Sequence, residues 1–142
     1  YAVSVGRVLF DEKPSSISGE LISFDKANQV DSGFSVQMKY SHDKIFNGFF
    51  GVGLEYKNTL EIIGDNFLFE LNRVFSPPAD MDVNIKSNKY STYFNENFKG
   101  DAYASFFDSV LSTCQNQDRI KWLDLIIQDA ELTNRLKSKI LR

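Results

Sequence analysis

The sequence holds no apolar run near the ~20 residues that a membrane-spanning helix needs, so it contains no candidate helical span. A single cysteine, Cys114, excludes an internal disulfide. The sequence therefore carries no sign of an oxidising compartment, and a cytoplasmic setting is expected. The one histidine, His42, has no second His or Cys spaced as a metal partner. Lys and Arg number 16 against 19 Asp and Glu, and they are scattered. A groove that follows a phosphate backbone needs them clustered, so no nucleic-acid partner is expected. The first residues, YAVSVGRVLF, lack the basic start and cleavage site of a secretory signal. There is no internal repeat, low-complexity tract or linker.

What is present fits one domain of ordinary size. The 142 residues are 42% hydrophobic and 25% charged, with a net charge of −3 and a pI of about 5.1. Such a chain can bury a core without staples. Thirteen Phe and six Tyr against one Trp lean toward sheet, because aromatic rings fit pleated, half-buried surfaces. No initiator Met is present, and the chain opens inside a pattern, so an upstream segment is expected.

Residues 1–10 space Ala2, Val5, Val8 and Leu9 as a short helix. Pro14 lies in the polar stretch that ends it. Alternation then marks strands over 17–23 and 33–41. The run GFFGVGLEY at 48–56 is apolar on both faces, as expected of a central strand covered on both sides. Strands at 58–63 and 67–75 flank a turn at Gly64-Asp65-Asn66, and Pro77-Pro78 stops the second. Further strands are expected at 81–87 and 90–94. The period then changes. Asp101 is placed to cap a helix with Tyr103, Phe106, Phe107, Val110, Leu111 and Cys114 on one face, where the thiol would serve as inert filler. Asp118 is placed to cap a last helix of about 24 residues with Ile120, Leu123, Ile127 and Ala130 in one stripe, widened by Trp122, Leu125, Ile126 and Leu136. Lys137, Lys139 and Arg142 suit its C-terminal end. Strands first and helices last read as α+β. The expected architecture is an open, mostly antiparallel sheet with helices on one face, and the other, partly apolar face free for dimerisation.

The candidates for chemistry are few. Glu12-Lys13-Pro14 resembles a catalytic triplet of some oxidoreductases, but locally it reads as a solvated helix-to-strand turn. Gly48-Phe49-Phe50-Gly51-Val52-Gly53 is not the dinucleotide fingerprint G-x-G-x-x-G, and a strand follows it rather than a helix. Its glycines are expected to admit bulky side chains close to the sheet. Asp124, Asp129 and Glu131 look like a solvated helix face. These residues alone give no complete active site.

The order of the segments resembles the C-terminal domain of the glucose–fructose oxidoreductase, inositol dehydrogenase and rhizopine-catabolism family (Gfo/Idh/MocA). Tyr1 fits the tyrosine of its D-x-G-x-Y segment, Arg7 a helix arginine and Pro14 a loop proline. The central hairpins read like Y-x-N-x-L-x-I-x-G-x-x-G-x-(I/L)-x-L-x-R-x-F-x-P-P. Tyr56, Asn58, Leu60, Ile62, Gly64, Leu68, Glu70, Arg73, Phe75, Pro77 and Pro78 carry that likeness, and Phe67 replaces the second glycine. The likeness covers nearly the whole chain. In the family, Glu-Lys-Pro lies late in a nucleotide-binding domain, and only eleven residues precede Glu12 here. Lys13 is therefore expected to be a loop residue.

The resemblance implies that residues 1–142 form one substrate and oligomerisation domain, inactive alone, of an oxidoreductase acting on a sugar, polyol or nucleotide sugar. NAD or NADP would be held by an N-terminal Rossmann domain outside this chain, with no cofactor-binding residue within it. Tyr1 would be the proton donor near the transferred hydride. Tyr56, Asn58 and Arg73 would line the sugar-like substrate, and the open sheet face would join copies into a homo-oligomer. The alternative is a non-catalytic α+β module that binds or assembles through that face.

Overall fold

The computed structural model describes residues 1–75, 77–116 and 119–140. The expected caps and charges at Asp118 and Arg142 lie outside the described residues. The fold is α+β, in the order α1 (Ser4–Phe10), β1 (Ser16–Asp25), β2 (Val30–Lys39), β3 (Ile45–Gly51), β4 (Thr59–Gly64), β5 (Phe67–Asn72), β6 (Asp82–Lys89), β7 (Thr92–Lys99), α2 (Ala102–Asn116) and α3 (Arg119–Ile140). All pairings are antiparallel, but the strands form two sheets, β1-β2-β3 and β4-β5-β6-β7. Two compact units result, Tyr1–Leu54 with Arg119–Arg142, and Glu55–Asp118.

In the first unit, alternation sends Ile17, Gly19 and Leu21 to the same face as Phe34, Val36 and Met38, and as Phe46, Gly48 and Phe50, through the pairs Ile17↔Met38 and Met38↔Phe46. Helix α3 lies on this face. Leu132 and Leu136 are buried, whereas Ile120, Leu123, Ile126 and Ile127 in its N-terminal half are exposed. Gly19 makes the approach possible: a Cβ there would sit 3.1 Å from Leu136 Cδ1 and 3.3 Å from Ile140 Cδ1, and would collide with the Ser35 carbonyl oxygen. Helix α1 covers the end of the same face, with Gly6 against the Tyr40 ring and Phe10 edge-on to it at 4.7 Å.

A bidentate ion pair ties α1 to α3. Arg7 Nε donates to Asp129 Oδ1 at 2.9 Å and Nη2 to Oδ2 at 2.7 Å, and Ser4 Oγ donates to Oδ2 at 2.9 Å. Asp129 is therefore not a solvated helix acid. It is an anchor 122 residues from its partner. Hydrogen bonds from Arg7 hold its carboxyl below the usual carboxylate range, against partial desolvation, with help from Ser4 and the guanidinium charge. Glu12 is likewise engaged, paired with Lys44 and accepting the Ser41 N–H at 3.3 Å, which fastens the β2–β3 turn to the helix end. Lys13 is exposed, and Pro14 is buried.

Strand β3 is an edge strand of its sheet, not a central one. A run apolar on both faces does not distinguish a doubly covered strand from an edge strand whose second face meets solvent. Gly48 admits the Phe46 and Phe50 rings, at 3.0 and 2.7 Å from the position of an added Cβ. The open face of this sheet is mixed, with Ser18, Glu20, Ser35, Gln37 and Asn47 beside Phe49.

In the second unit, Ile62, Phe69, Leu71, Ile85, Phe94 and Phe98 share one face of the sheet and line an open apolar concavity of about 610 Å³. The opposite face is mixed: Asn84 donates to both Asn95 and Asn97, and Ile63, Leu68 and Tyr93 lie toward the turn end of the same face. The β4–β5 turn stays tight despite Phe67: Asn66 is left-handed at φ 64°, and Phe67 lies over its partner Gly64. Asp101 caps α2 through the N–H groups of Tyr103 and Ala104. The apolar face of α2 is nevertheless exposed, including Phe106 and Phe107 at 59% and 61%, and Cys114 is exposed rather than filler.

Two outcomes follow from the first unit. Gly19→Ala is expected to destabilise the chain by roughly 1–3 kcal/mol in denaturant unfolding, because a backbone oxygen cannot swing aside. Asp129→Asn is expected to cost about 1.5–3 kcal/mol near neutral pH. The folded carboxyl titrates below its unfolded counterpart, so its contribution is complete above the unfolded value of ~4 and fades as pH falls through the folded one. The gap between wild type and variant should therefore close in acid.

Candidate functional site

Tyr56, Asn58 and Arg73, three residues that carry the family resemblance, come together in the second unit. Thr59 and Asn72 are the last pair of the β4–β5 ladder. Just beyond it, Arg73 turns the chain through a left-handed conformation (φ 58°), and its N–H donates to the Asn58 carbonyl at 2.7 Å. The Asn58 side chain then imitates a strand peptide toward Phe75. Its Nδ2 donates to the Phe75 carbonyl at 2.7 Å and its Oδ1 accepts the Phe75 N–H at 3.1 Å. The remaining Nδ2 hydrogen goes to Tyr56 Oη at 3.1 Å. All the hydrogen-bonding capacity named for this amide except one oxygen lone pair is thus in use.

The Arg73 guanidinium lies over the Tyr56 ring, 4.1 Å from its centre. Stacking of this kind restricts both side chains. Among the described residues no carboxylate forms an ion pair with Arg73. The phenol of Tyr56 is drawn below its ordinary value, first by the hydrogen bond from Asn58 and then by Arg73, against slight desolvation. Tyr56 is 60% exposed, so the pair presents a fixed cation and an acidified hydroxyl to solvent.

Tyr1 belongs to the first unit. Its carbonyl accepts the N–H groups of Ser4 and Val5, and so opens α1. Its exposed side chain lines an apolar pocket of about 310 Å³ with Phe34, Phe50, Leu136 and Ile140, rimmed by Asp31, Thr133 and Lys137. His42 and Asp43 are both left-handed in the β2–β3 turn, and His42 Nδ1 meets Ser41 Oγ at 2.9 Å. Among the described residues no three His, Cys, Asp or Glu are grouped to hold a metal. No helix among them is long and apolar enough to cross a membrane.

Residues 48–53 do not fit a Rossmann-type dinucleotide turn, which needs a strand, a glycine turn and a helix N-terminus. Here the glycines of residues 48–53 lie in and after antiparallel β3, with β4 next in the chain. What the sequence did not reveal is the part of the Phe75 backbone in the cluster. The only signal was the fixed spacing of Asn58, Arg73 and Phe75 around the hairpin.

No family model and no curated protein matches the chain. Solved structures of KijD10, a 3-ketoreductase from Actinomadura kijaniata, do match it. The complex with NADP and TDP-benzene aligns with a TM-score of 0.83 and 16% identity over 99% of this chain and 43% of that one. The complex with NADP aligns at 0.81 and 16% over 99% and 45%. A variant with TDP-benzene and NADP gives 0.83 and 15% over 99% and 45%. At this identity the likeness is one of fold. The chain spans less than half the length of the structures it matches.

The phenol is a direct probe of the cluster. Followed by its ring NMR signals, Tyr56 should titrate below the ~10 of an unperturbed tyrosine. Asn58→Ala and Arg73→Gln should each move that titration upward. A Tyr56 that titrates alike in all three proteins would contradict the geometry.

Proposed function

We propose that this chain is the substrate-side domain of an NAD(P)-dependent oxidoreductase of Gfo/Idh/MocA type, acting on a sugar, polyol or nucleotide sugar. The observation that carries the reading is the overlay of 99% of the chain on part of a 3-ketoreductase bound to NADP and TDP-benzene. The order of the sequence motifs supports it independently. The dinucleotide belongs to a Rossmann domain outside these residues, in a cytoplasmic protein. Arg73 and Tyr56 contact the substrate, and Asn58 positions Tyr56. Tyr1 serves as a proton donor. The apolar face of the β4–β7 sheet joins copies into a homo-oligomer.

That exposed face also favours a second reading, a non-catalytic module that assembles through it. The two differ in what lies upstream of Tyr1. The first predicts roughly a hundred residues or more with a strand, a G-x-G-x-x-G turn and a helix. It also predicts that the longer protein oxidises NADPH or NADH in the presence of keto sugars or keto nucleotide sugars. Arg73→Gln should then raise KM about tenfold with a smaller effect on kcat, as for loss of one charge-assisted contact. A longer protein that carries the dinucleotide but turns over none of these substrates would sink the reading.

A further inference from the structure

We propose that the half of the chain that carries Tyr56, Asn58 and Arg73 holds its fold only as a dimer. Two copies stack their β4–β7 sheets face to face, and dissociation dissolves the cluster. This rests on the oligomer contact proposed above and adds what that contact controls.

Burial is divided unevenly between the two units. Nine described apolar side chains of the first unit are buried, from Val3 to Leu136. No described residue of Glu55–Asp118 is buried. Folding loses conformational entropy at every residue it orders, and apolar burial is the main contribution that offsets the loss. A sheet with one apolar face therefore has to bury that face against another layer. Here Phe69 and Phe94, in the middle of the face, remain 38% and 51% exposed. Strand β7 is exposed along its whole length. The burial that would hold this unit folded has to come from outside it.

The face suits its own copy. The strand registers place Lys89 one row above, and Glu96 one row below, a central row of Ile62, Phe69, Ser87 and Phe94. Two sheets stacked about a two-fold axis close to that row exchange their outer rows. Lys89 then meets Glu96 of the second copy, and Glu96 meets its Lys89. A face with charges of one sign would instead set like charges against each other. The strands of the two sheets cross at a shallow angle, as in aligned sandwiches. Phe94 lies beside the axis and packs on Phe94 of the second copy.

The substrate cluster inherits this dependence. The Arg73 N–H meets the Asn58 carbonyl at 2.7 Å, one step beyond the Thr59↔Asn72 pair that ends the β4–β5 ladder. When the sheet opens, the Asn58 amide loses the Phe75 backbone and Arg73 leaves the Tyr56 ring. Assembly thus gates the site.

Amide hydrogen exchange of the 142-residue chain, followed by concentration alongside sedimentation, tests this. Above the dissociation constant the monomer fraction falls as the square root of concentration. A roughly hundredfold increase should therefore raise protection of the β4–β7 amides about tenfold and leave those of β1–β3 and α3 unchanged. Lys89→Glu and Glu96→Lys should each weaken the dimer about tenfold or more, because each sets like charges in both pairs, and the double variant should recover to within about threefold. The Tyr56 ring signals should lose their dispersion in each single variant at a concentration where it is monomeric, and regain it in the double variant. A chain that stays monomeric, protection of β4–β7 that does not respond to concentration, a double variant that fails to recover, or a Tyr56 environment unchanged in a monomeric variant would overturn the proposal. Protection gained only in a longer protein with an upstream domain would assign the face to that domain and overturn it as well. Assembly-dependent order in a longer protein that turns over no keto sugar would keep this inference and sink the enzyme reading. Turnover by a monomer would do the reverse.

Discussion

One-sided burial on strand β2 holds the first unit together. Val36, Met38 and Tyr40 point the same way, with Ile17 and Phe46 beside them and Leu132 and Leu136 above, and all are buried. Full burial of such side chains is worth about 1.5–3 kcal/mol each. The layer closes only because Gly19 lets α3 settle against the strand, and because Arg7 and Asp129 fix α1 against α3. The ion pair is a directional complement to burial, which has no direction of its own. It sets which turn of α3 faces α1, and its charges keep their partners because both are only part-exposed.

The second unit is built differently. Every buried hydrophobic residue described belongs to the first unit. The β4–β7 sheet keeps its shape through ladders, an asparagine network and two-residue turns. Its apolar face and the apolar face of α2 remain exposed to solvent. Apolar patches of that extent mark surfaces that meet a partner or another domain. The charges Lys89 and Glu96 lie on the same side as Phe94 and Phe98, which limits indiscriminate edge pairing. The proposed oligomer contact and the proposed cofactor domain both offer such cover.

Much of this was legible in the sequence, and the limits have physical causes. Period-2 alternation located β1, β2, β4 and β5, and the change of period located α2 and α3. The final strands began later than expected because Tyr90 and Ser91 form the turn between β6 and β7 instead of opening a strand. Asn, Asp and Gly mark such turns in sequence, whereas Tyr-Ser does not. The role of Asp129 was invisible because its partner is 122 residues away, and a lone acid on a helix surface looks solvated until its neighbour is known. Glu12 misled for the same reason, since Lys44 sits across a hairpin. The Tyr56, Asn58 and Arg73 cluster was reachable because all three lie at the open end of one hairpin. Pairing alone then brings Asn58 and Arg73 together once Thr59 faces Asn72.

The backbone at that hairpin end bears on why an arginine is found there. Left-handed φ at a residue with a Cβ costs roughly 1–2 kcal/mol, and Gly or Asn adopts it more readily. Of the non-glycine residues with positive φ, Asp11, His42, Asp43 and Asn66 are of types that tolerate it comparatively well, whereas Gln29, Arg73, Tyr90 and Ser91 are not. The turn requires a residue that curves the chain so that Phe75 can meet the Asn58 amide, and glycine meets that need with less strain. What glycine lacks is the guanidinium that stacks on Tyr56. Backbone strain, a charge with no carboxylate partner among the described residues and an amide spent on orienting a phenol thus converge on one small surface, and ladder stability alone requires only the amide.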